Sequence, residues 1–160
     1  MKKKKINSRA KGSSYERDIA KKLSKWSNIN IRRSPQSGGW NQRGDLTPVN
    51  PEDMVKWPFN FELKKRQGWR LSELLTYKNR QTGILSWWDQ SLKDAKVSKK
   101  IPVLVFSKNF DNDYVCIEKV VFKKLELKKK IRNYLINKNL IFFLLNDLLK
   151  VSFEDVLKKI

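Results

Sequence analysis

The stretch from Phe59 to Lys65 constrains the fold more than any other part of the sequence. Apolar and polar residues alternate in it, and this period of two predicts a strand with one face in the core. The apolar side chains form that face, and Asn60, Glu62 and Lys64 form the other. At a rise of roughly 3.3 Å per residue, a carboxylate and an ammonium are therefore held about 7 Å apart along one side of a strand.

A second carboxylate, Asp45, follows a loop that runs from Arg32 to Gly44. Proline, serine and a pair of glycines mark this segment as irregular. Its arginines, glycine amides and Trp40 are typical of a loop that contacts phosphates and stacks on a base, although an ordinary surface loop is the alternative. The residues that follow predict a second strand. We expect residues 44–64 to form a hairpin that places Asp45 beside Glu62.

A helix is predicted to begin at Ser13, because Ser13 and Glu16 match the capping box. Its apolar stripe continues through Ile19, Ala20, Leu23 and Trp26. Glu16 precedes the stripe by three or four residues and lies on the same side of the helix. Two roles stay open for Glu16, as a helix cap or as a carboxylate aimed into a site at the edge of the core. Asp45, Glu62 and Lys64 favour the second role, and one residue can serve both.

The remaining segments complete an α/β pattern. Residues 50–57 predict a turn, and helices are predicted over 69–78 and 86–97, on either side of Gly83. Residues 101–106 predict a strand buried on both faces, and residues 114–118 predict the strand that returns after a turn. Residues 140–145 fit a strand or the start of a helix, and Ser152 predicts the cap of a last short helix. The fold expected is a mixed central β-sheet flanked by helices.

One domain is expected from 160 residues. We divide it into a basic flexible arm at 1–12, a core at 13–118, and a C-terminal extension at 119–160 whose role the sequence does not indicate. The net charge of +20 predicts attraction to a polyanion, most often nucleic acid, although a lysine-rich composition can also reflect an AT-rich genome.

Several classes of protein are excluded by what the chain lacks. It has no histidine, which excludes Ser-His-Asp and Cys-His catalysis and histidine-ligated zinc sites. The single cysteine, Cys116, cannot form a disulfide within the chain, and this fits a reducing cytoplasm. No secretory signal follows the basic N-terminus, and no apolar run is long enough to cross a bilayer. A cytoplasmic protein without membrane contact is therefore expected.

The candidate chemistry is hydrolysis of a phosphodiester with a divalent metal. Asp45 and Glu62, with the backbone carbonyl of Leu63, supply the oxygen ligands that Mg²⁺ prefers, and Mn²⁺ is expected to substitute. Lys64 can orient the attacking hydroxide and stabilise the pentacovalent phosphorane. Glu16 can hold a second ion or position water.

Gly44-Asp45, followed by Glu62-Leu63-Lys64, resembles the PD-(D/E)XK nuclease motif. The segments 12–17 and 37–39 resemble the Holliday-junction resolvase branch of that superfamily. The resemblance covers roughly residues 12–107, with Gly44 in place of the proline of the motif, and residues 118–160 match nothing. It implies a restriction-endonuclease-like fold, dependence on Mg²⁺, and a homodimer that cuts two strands of branched DNA.

The same resemblance assigns roles to individual residues. It makes Glu16, Asp45 and Glu62 metal-site residues and Lys64 the catalytic lysine. Ser37 matches a serine near the scissile phosphate, and Gln90 occupies a helix position that is often polar. Together with the charge pattern, it predicts DNA contacts by Arg32, Arg33, Ser37, Gly38, Trp40, Arg43, Lys65, Arg66 and Gln90.

A resolvase acting on branched DNA is the leading hypothesis, placed in the cytoplasm near the nucleoid or encoded by a phage in its host cell. Another nuclease with the same motif, either sequence-specific or acting on flaps or nicks, is the nearest alternative. A basic DNA-binding protein without catalysis is the third.

Overall fold

The structure is a computed structural model that describes residues 8–35, 44–75 and 83–160. It contains short 3₁₀ helices at Leu71–Leu75 and Leu127–Lys129. The helices are α1 (Ser8–Ser27), α2 (Pro51–Lys56), α3 (Gly83–Ser98), α4 (Lys119–Lys124), α5 (Leu145–Leu148) and α6 (Phe153–Leu157). The strands are β1 (Ile31–Arg33), β2 (Leu46–Pro48), β3 (Phe59–Lys65), β4 (Ile101–Ser107), β5 (Tyr114–Glu118), β6 (Tyr134–Asn137) and β7 (Leu140–Leu144).

A five-stranded mixed sheet forms the centre of the fold, in the order β3-β4-β5-β7-β6. β3 and β4 are parallel and pair Glu62 with Leu104, whereas the other neighbours are antiparallel. Helices α1 and α3 pack against β3, and α3 also packs against β4. The predicted α/β fold with a mixed sheet flanked by helices is therefore confirmed.

β3 is buried on both of its faces. Its apolar face packs with Ile19 and Leu23 of α1 in the larger of two hydrophobic clusters. The opposite face, which carries Asn60 and Glu62, lies under α3, and the amide of Asn60 donates to the Ser98 hydroxyl at 2.9 Å. Only 3% of Glu62 is exposed. The site at this face therefore lies inside the fold, where interactions between charges are strong.

The first helix is longer than the sequence predicts. α1 begins at Ser8, so Ser13 lies inside the helix and the predicted capping box is wrong. Ala10 and Lys11 are good helix formers, and they extend the helix toward the N-terminus. Of the predicted basic arm, residues 8–12 are therefore helical, and residues 1–7 lie outside the described residues.

The predicted hairpin over residues 44–64 is also wrong. β2 pairs antiparallel with β1, with Arg32 opposite Thr47, and these two strands form a separate small sheet. Residues 51–56 form α2 instead of a turn, because Pro51 occupies the first helical position, where proline is favoured.

The predicted helix over 69–78 is a 3₁₀ helix at Leu71–Leu75 within the described residues, and its last three positions fall outside them. α3 starts at Gly83, three residues before its predicted start.

The C-terminal segment belongs to the central sheet. β7 lies between β5 and β6 and pairs with β5 along its whole length, so residues 140–144 are a strand that leads directly into α5. The Ser152 hydroxyl accepts a hydrogen bond from the Asp155 N–H, which confirms the predicted cap of α6. Across the described part of the chain, no helix has both the length and the apolar character needed to cross a membrane.

Candidate active site

A cavity of about 320 Å³ lies where α1, the segment before β2, β3 and α3 meet. The structure brings Glu16, Asp45, Glu62 and Lys64 together in its wall. These four residues come from three separate segments, and the sequence predicts this convergence. The complete lining consists of Glu16, Arg33, Ser34, Pro35, Gly44, Asp45, Glu62, Lys64, Gln90 and Asp94.

Asp45 is fixed to β3 by hydrogen bonds instead of by strand pairing. Its N–H donates to the Phe61 carbonyl at 2.8 Å, and its carboxylate accepts from the Leu63 N–H at 2.6 Å. The Ser34 N–H donates to the Asp45 carbonyl at 2.8 Å. Because Phe61 and Leu63 flank Glu62, these bonds hold the two carboxylates side by side.

Gly44, which precedes Asp45, has a left-handed backbone conformation that favours glycine. Its φ angle is +88°, whereas proline is restricted to a φ near −65°. A Cβ atom at Gly44 would stand 2.7 Å from the Asn60 side-chain oxygen and 2.9 Å from the Phe61 carbonyl oxygen. The local conformation therefore explains why this chain has glycine where the PD-(D/E)XK motif has proline.

Replacing Gly44 with alanine is expected to lower the free energy of unfolding by about 2–4 kcal/mol, because backbone strain and a steric clash add together. Gly68→Ala is the matched control. Gly68 has a φ of +85°, but its Cβ would meet nothing within 4 Å. We expect a cost of about 1 kcal/mol there, from strain alone. Urea denaturation measures both variants, and equal losses would contradict the tight contact at Gly44.

Glu62 and Lys64 form an ion pair inside the cavity. The Lys64 ammonium lies 2.6 Å from a Glu62 carboxylate oxygen, and the side chains are 18% and 4% exposed respectively. Burial raises the pKa of Glu62, and the charges of Asp94 and Glu16 raise it further, whereas the Lys64 ammonium lowers it. Burial also raises the pKa of Asp45, to about 7, and the neighbouring Glu62 contributes to that rise. The cavity is thus short of positive charge although the chain carries +20.

Glu16 faces the cavity but is held by Arg33. The Arg33 Nε–H donates to the Glu16 carboxylate in a partly buried ion pair that joins α1 to β1. This contact uses one donor of the guanidinium, which carries five N–H donors in total. Arg33 can therefore hold Glu16 and still contact a phosphate.

The other residues predicted to contact DNA differ in their exposure and in their distance from the cavity. Arg32, Arg66 and Gln90 are exposed, and Gln90 lines the cavity. The Lys65 ammonium lies 5.0 Å from the centre of the Tyr15 ring and 3.3 Å from the Ser107 hydroxyl, on the face of β3 opposite Lys64. The predicted contacts at Ser37, Gly38, Trp40 and Arg43 lie outside the described residues.

Two polar side chains of the cavity wall, Asp94 and Ser34, were missed by the sequence analysis. Asp94 lies four residues after Gln90 and so on the same face of α3, and this spacing was the signal that could have identified it. Ser34 lines the cavity with a buried hydroxyl that has no hydrogen-bond partner among the residues that the structure describes. No sequence signal marks Ser34, because a serine before a proline is ordinary in a loop.

The donor set suits a hard divalent cation. The Leu63 N–H donates to one carboxylate oxygen of Asp45, and the Lys64 ammonium pairs with one carboxylate oxygen of Glu62. The second oxygen of each carboxylate can therefore bind a cation. In the described ranges, no group of three or more His, Cys, Asp or Glu side chains is arranged to hold a metal. Mg²⁺ commonly takes one or two carboxylates and completes its shell with water and phosphate, so Asp45 and Glu62 fit it.

The comparison with protein families decides the class of the protein. The family model described as "Phage putative PDDEXK endonuclease" matches residues 7–158. The chain belongs to this endonuclease family. The match confirms the resemblance to PD-(D/E)XK nucleases and makes the chain a member of a nuclease family. It also extends through most of the C-terminal segment, which no motif in the sequence had placed.

An archaeal protein of known structure is similar in fold to this PDDEXK endonuclease. It is Hjc from Archaeoglobus fulgidus, a Holliday junction resolvase from an archaeal hyperthermophile. The sequence identity is 13%, the TM-score is 0.41, and the alignment covers 94% of this chain and 98% of Hjc. No curated protein matches the chain.

Proposed function

We propose that the protein is a divalent-metal-dependent DNA endonuclease that hydrolyses phosphodiester bonds in branched DNA, as a junction resolvase does. The observation that carries the proposal is the convergence of Asp45, Glu62 and Lys64 in one cavity. A buried carboxylate beside a half-buried one is costly for folding, and a binding protein would gain nothing from the pair in a chain that must attract phosphates. A nuclease needs them to hold a cation.

The residues of the cavity have different roles in this proposal. Asp45 and Glu62 would hold Mg²⁺ or Mn²⁺, with the Leu63 carbonyl as a further ligand, and the ion would supply positive charge and an activated water. Lys64 holds its ammonium beside Glu62, where it can balance the negative charge that develops on the phosphate. Gln90 lies on the wall formed by α3, and its amide can orient water or a phosphate oxygen.

Arg33 and Glu16 would support the scissile strand from the wall formed by α1. Glu16 fixes the guanidinium through its Nε, so that the remaining N–H donors can contact phosphate oxygens. The same Glu16 can accept a proton or position water. Its bond to Arg33 makes it a positioning residue in this proposal instead of a third metal ligand.

Branched DNA is proposed as the substrate on two grounds. The segments 12–17 and 37–39 resemble the resolvase branch, and the charge of +20 suits recognition of DNA shape through phosphates more than through base edges. The described part of the chain brings these carboxylates together in one cavity, so symmetrical cleavage of two strands would take two chains. We therefore propose a homodimer as the active form.

A cleavage comparison tests the proposal. Wild-type protein is expected to cut a labelled four-way junction in the presence of Mg²⁺, symmetrically and faster than a linear duplex of the same sequence. Glu62→Ala is expected to slow cleavage by about 10²–10⁴-fold, because the cation loses a ligand and Lys64 loses its partner. Glu52→Ala is the matched control, since Glu52 is exposed in the first turn of α2 and does not line the cavity.

The outcomes separate the alternatives. Equal cutting of the linear duplex would remove the branched-DNA part of the proposal and keep the nuclease. Tight, salt-sensitive binding without cutting by either protein would favour a DNA-binding protein without catalysis. Equal activity of Glu62→Ala and wild type would remove this cavity as the active site.

A further inference from the structure

A second basic surface lies on the C-terminal part of the chain. Residues 119–132 contain seven lysine or arginine residues and a single acidic residue, Glu126. We define the distal basic surface as the six of these cations that are exposed. They are Lys123, Lys124, Lys128, Lys129, Lys130 and Arg132.

This surface is a rigid part of the fold. Phe122, Leu125, Leu127 and Ile131 alternate with the cations and are buried in the same core as α1 and β3. Hydrogen bonds from Leu125 N–H to the Val121 carbonyl and from Ile131 N–H to the Leu127 carbonyl close the turns between them. The buried side chains therefore hold the cations on one folded platform, and a partner would not have to order a flexible tail.

Most of the positive charge on this surface is not neutralised by the protein. Glu126 pairs with Lys129 at 2.8 Å and with Lys159 at 2.5 Å, and Lys124 donates to the Ile160 carbonyl at 3.1 Å. Within the described residues, the side chains of Lys123, Lys128, Lys130 and Arg132 have no ion pair or hydrogen-bonded partner. Four unpaired cations on adjacent turns repel one another, and a polyanion would relieve that repulsion.

The surface is separate from the cavity. β5 lies two strands from β3, about 10 Å at the usual spacing of strands. Glu62 is level with Leu104 of β4 and hence with Cys116 of β5. From Cys116 the chain runs away from the carboxyl end of β3 and enters α4 at Lys119. The distal basic surface thus lies across the sheet from the cavity and toward its opposite end.

We propose that the distal basic surface binds the phosphate backbone of a second DNA segment while the first segment occupies the cavity. This inference rests on the proposed function, since the polyanion on which such a nuclease acts is DNA. A membrane surface fits less well, because Phe122, Leu125, Leu127 and Ile131 face the core and cannot insert into lipid. The second segment would be another arm of a branched substrate or a neighbouring duplex.

The test removes three of the unpaired cations and leaves the paired ones in place. The variant Lys123→Gln/Lys128→Gln/Lys130→Gln is compared with Lys56→Gln/Lys93→Gln/Lys96→Gln, which removes the same charge from exposed positions of α2 and α3. Binding to a labelled four-way junction is measured by fluorescence anisotropy in EDTA over a series of salt concentrations. Unchanged thermal melting shows that both variants are folded.

The distal variant is expected to lower the slope of log affinity against log salt by about 2–3, at about 0.9 per lost phosphate contact, with affinity about 10–100-fold weaker. The control is expected to change the slope by less than about 1. The same binding measurement on a single duplex arm distinguishes another arm of the substrate from a neighbouring duplex as the second DNA segment. Weakening on the junction alone indicates an arm of the same substrate, and weakening on both indicates a separate duplex.

Equal slopes for the two triple variants would overturn the proposal. So would a distal variant that loses binding to vesicles of anionic lipid while its slope on DNA stays at the wild-type value. Because EDTA prevents metal-dependent cleavage, this result does not depend on whether the protein cuts DNA. Failure here leaves the Glu62→Ala comparison intact, and failure of cleavage leaves the salt slope interpretable.

Discussion

The Asp45→Asn variant is expected to lose cleavage and, without metal, to be more stable than the wild type at neutral pH. Burial raises the pKa of Asp45 to about 7, and the charge of Glu62 adds to this rise. The unfolded chain ionises this carboxyl near pH 3.8. Between these two values the folded state holds a proton that the unfolded state has lost. The stability that Asp45 contributes is therefore present below about pH 4 and disappears as the pH rises to about 7.

Asparagine avoids that loss because it does not ionise. Its side-chain oxygen can still accept the hydrogen bond that the Leu63 N–H donates at 2.6 Å. A pKa of about 7 in the folded state against 3.8 in the unfolded chain corresponds to at most about 4 kcal/mol, so we expect a gain of about 1–4 kcal/mol at pH 8 and almost none at pH 4. Urea denaturation of both proteins in EDTA across this range measures the difference. Added Mg²⁺ should stabilise the wild type and leave the variant unchanged.

Asp111→Asn provides the control with the opposite sign. Burial acts to raise the pKa of Asp111, but hydrogen bonds from the Asn112 N–H and the Tyr114 hydroxyl, together with Lys108, lower it below its usual value. Ionised Asp111 therefore stabilises the fold at neutral pH, and its replacement should lower stability there. An Asp45→Asn variant that is less stable than the wild type at pH 8 would contradict the inference that ionised Asp45 beside Glu62 destabilises the folded state.

The alternation in β3 was sufficient to predict the strand that carries Glu62 and Lys64. It gave the strand, its apolar face, and the position of Glu62 and Lys64 together on the other face. The burial of that polar face could not be predicted, because it depends on α3, which packs there from a distant part of the sequence. A period of two shows that two faces differ, but it does not show what covers each of them.

Asp45 lies beside Glu62 as predicted, but by a different route. The sequence predicted a hairpin, whereas β2 pairs with β1 and Asp45 reaches β3 through its bonds to Phe61 and Leu63. A strand of three residues carries too little pattern to specify its partner. Asp94 was missed for a related reason. An aspartate between lysines on a helix reads as solvated until the packing of that helix is known.

The Lys64→Ala variant is expected to lower the rate of cleavage by about 10²–10⁴-fold, which is the second large effect that the structure predicts. Lys64 is the counter-charge of Glu62, at 2.6 Å, and Glu62 is almost completely buried. Without the ammonium, the pKa of Glu62 should rise further, since Lys64 is the main influence that opposes burial. Glu62 would then be protonated at neutral pH more often and would hold a cation less well.

Lys65→Ala is the matched control for this change. Lys65 is the next residue of β3, but its ammonium lies over the Tyr15 ring and near the Ser107 hydroxyl, on the opposite face. Its loss should cost about 0.5–1 kcal/mol of stability from the contact with the ring and should change the rate by less than about tenfold. Single-turnover cleavage of a saturating four-way junction, with thermal melting of each protein, measures both effects.

The comparison of Lys64→Ala with Lys65→Ala separates the effect of the Lys64 ammonium in the cavity from the effect of the overall charge of the protein. Both variants remove one positive charge from adjacent residues, so electrostatic attraction to DNA should weaken by about the same amount in each. A difference in the single-turnover rate therefore reports what the Lys64 ammonium does inside the cavity. Lys64→Arg should recover only part of the rate, because a planar guanidinium cannot occupy the same position beside Glu62. Equal rates for Lys64→Ala and Lys65→Ala would show that the ammonium acts only through the overall charge of the protein.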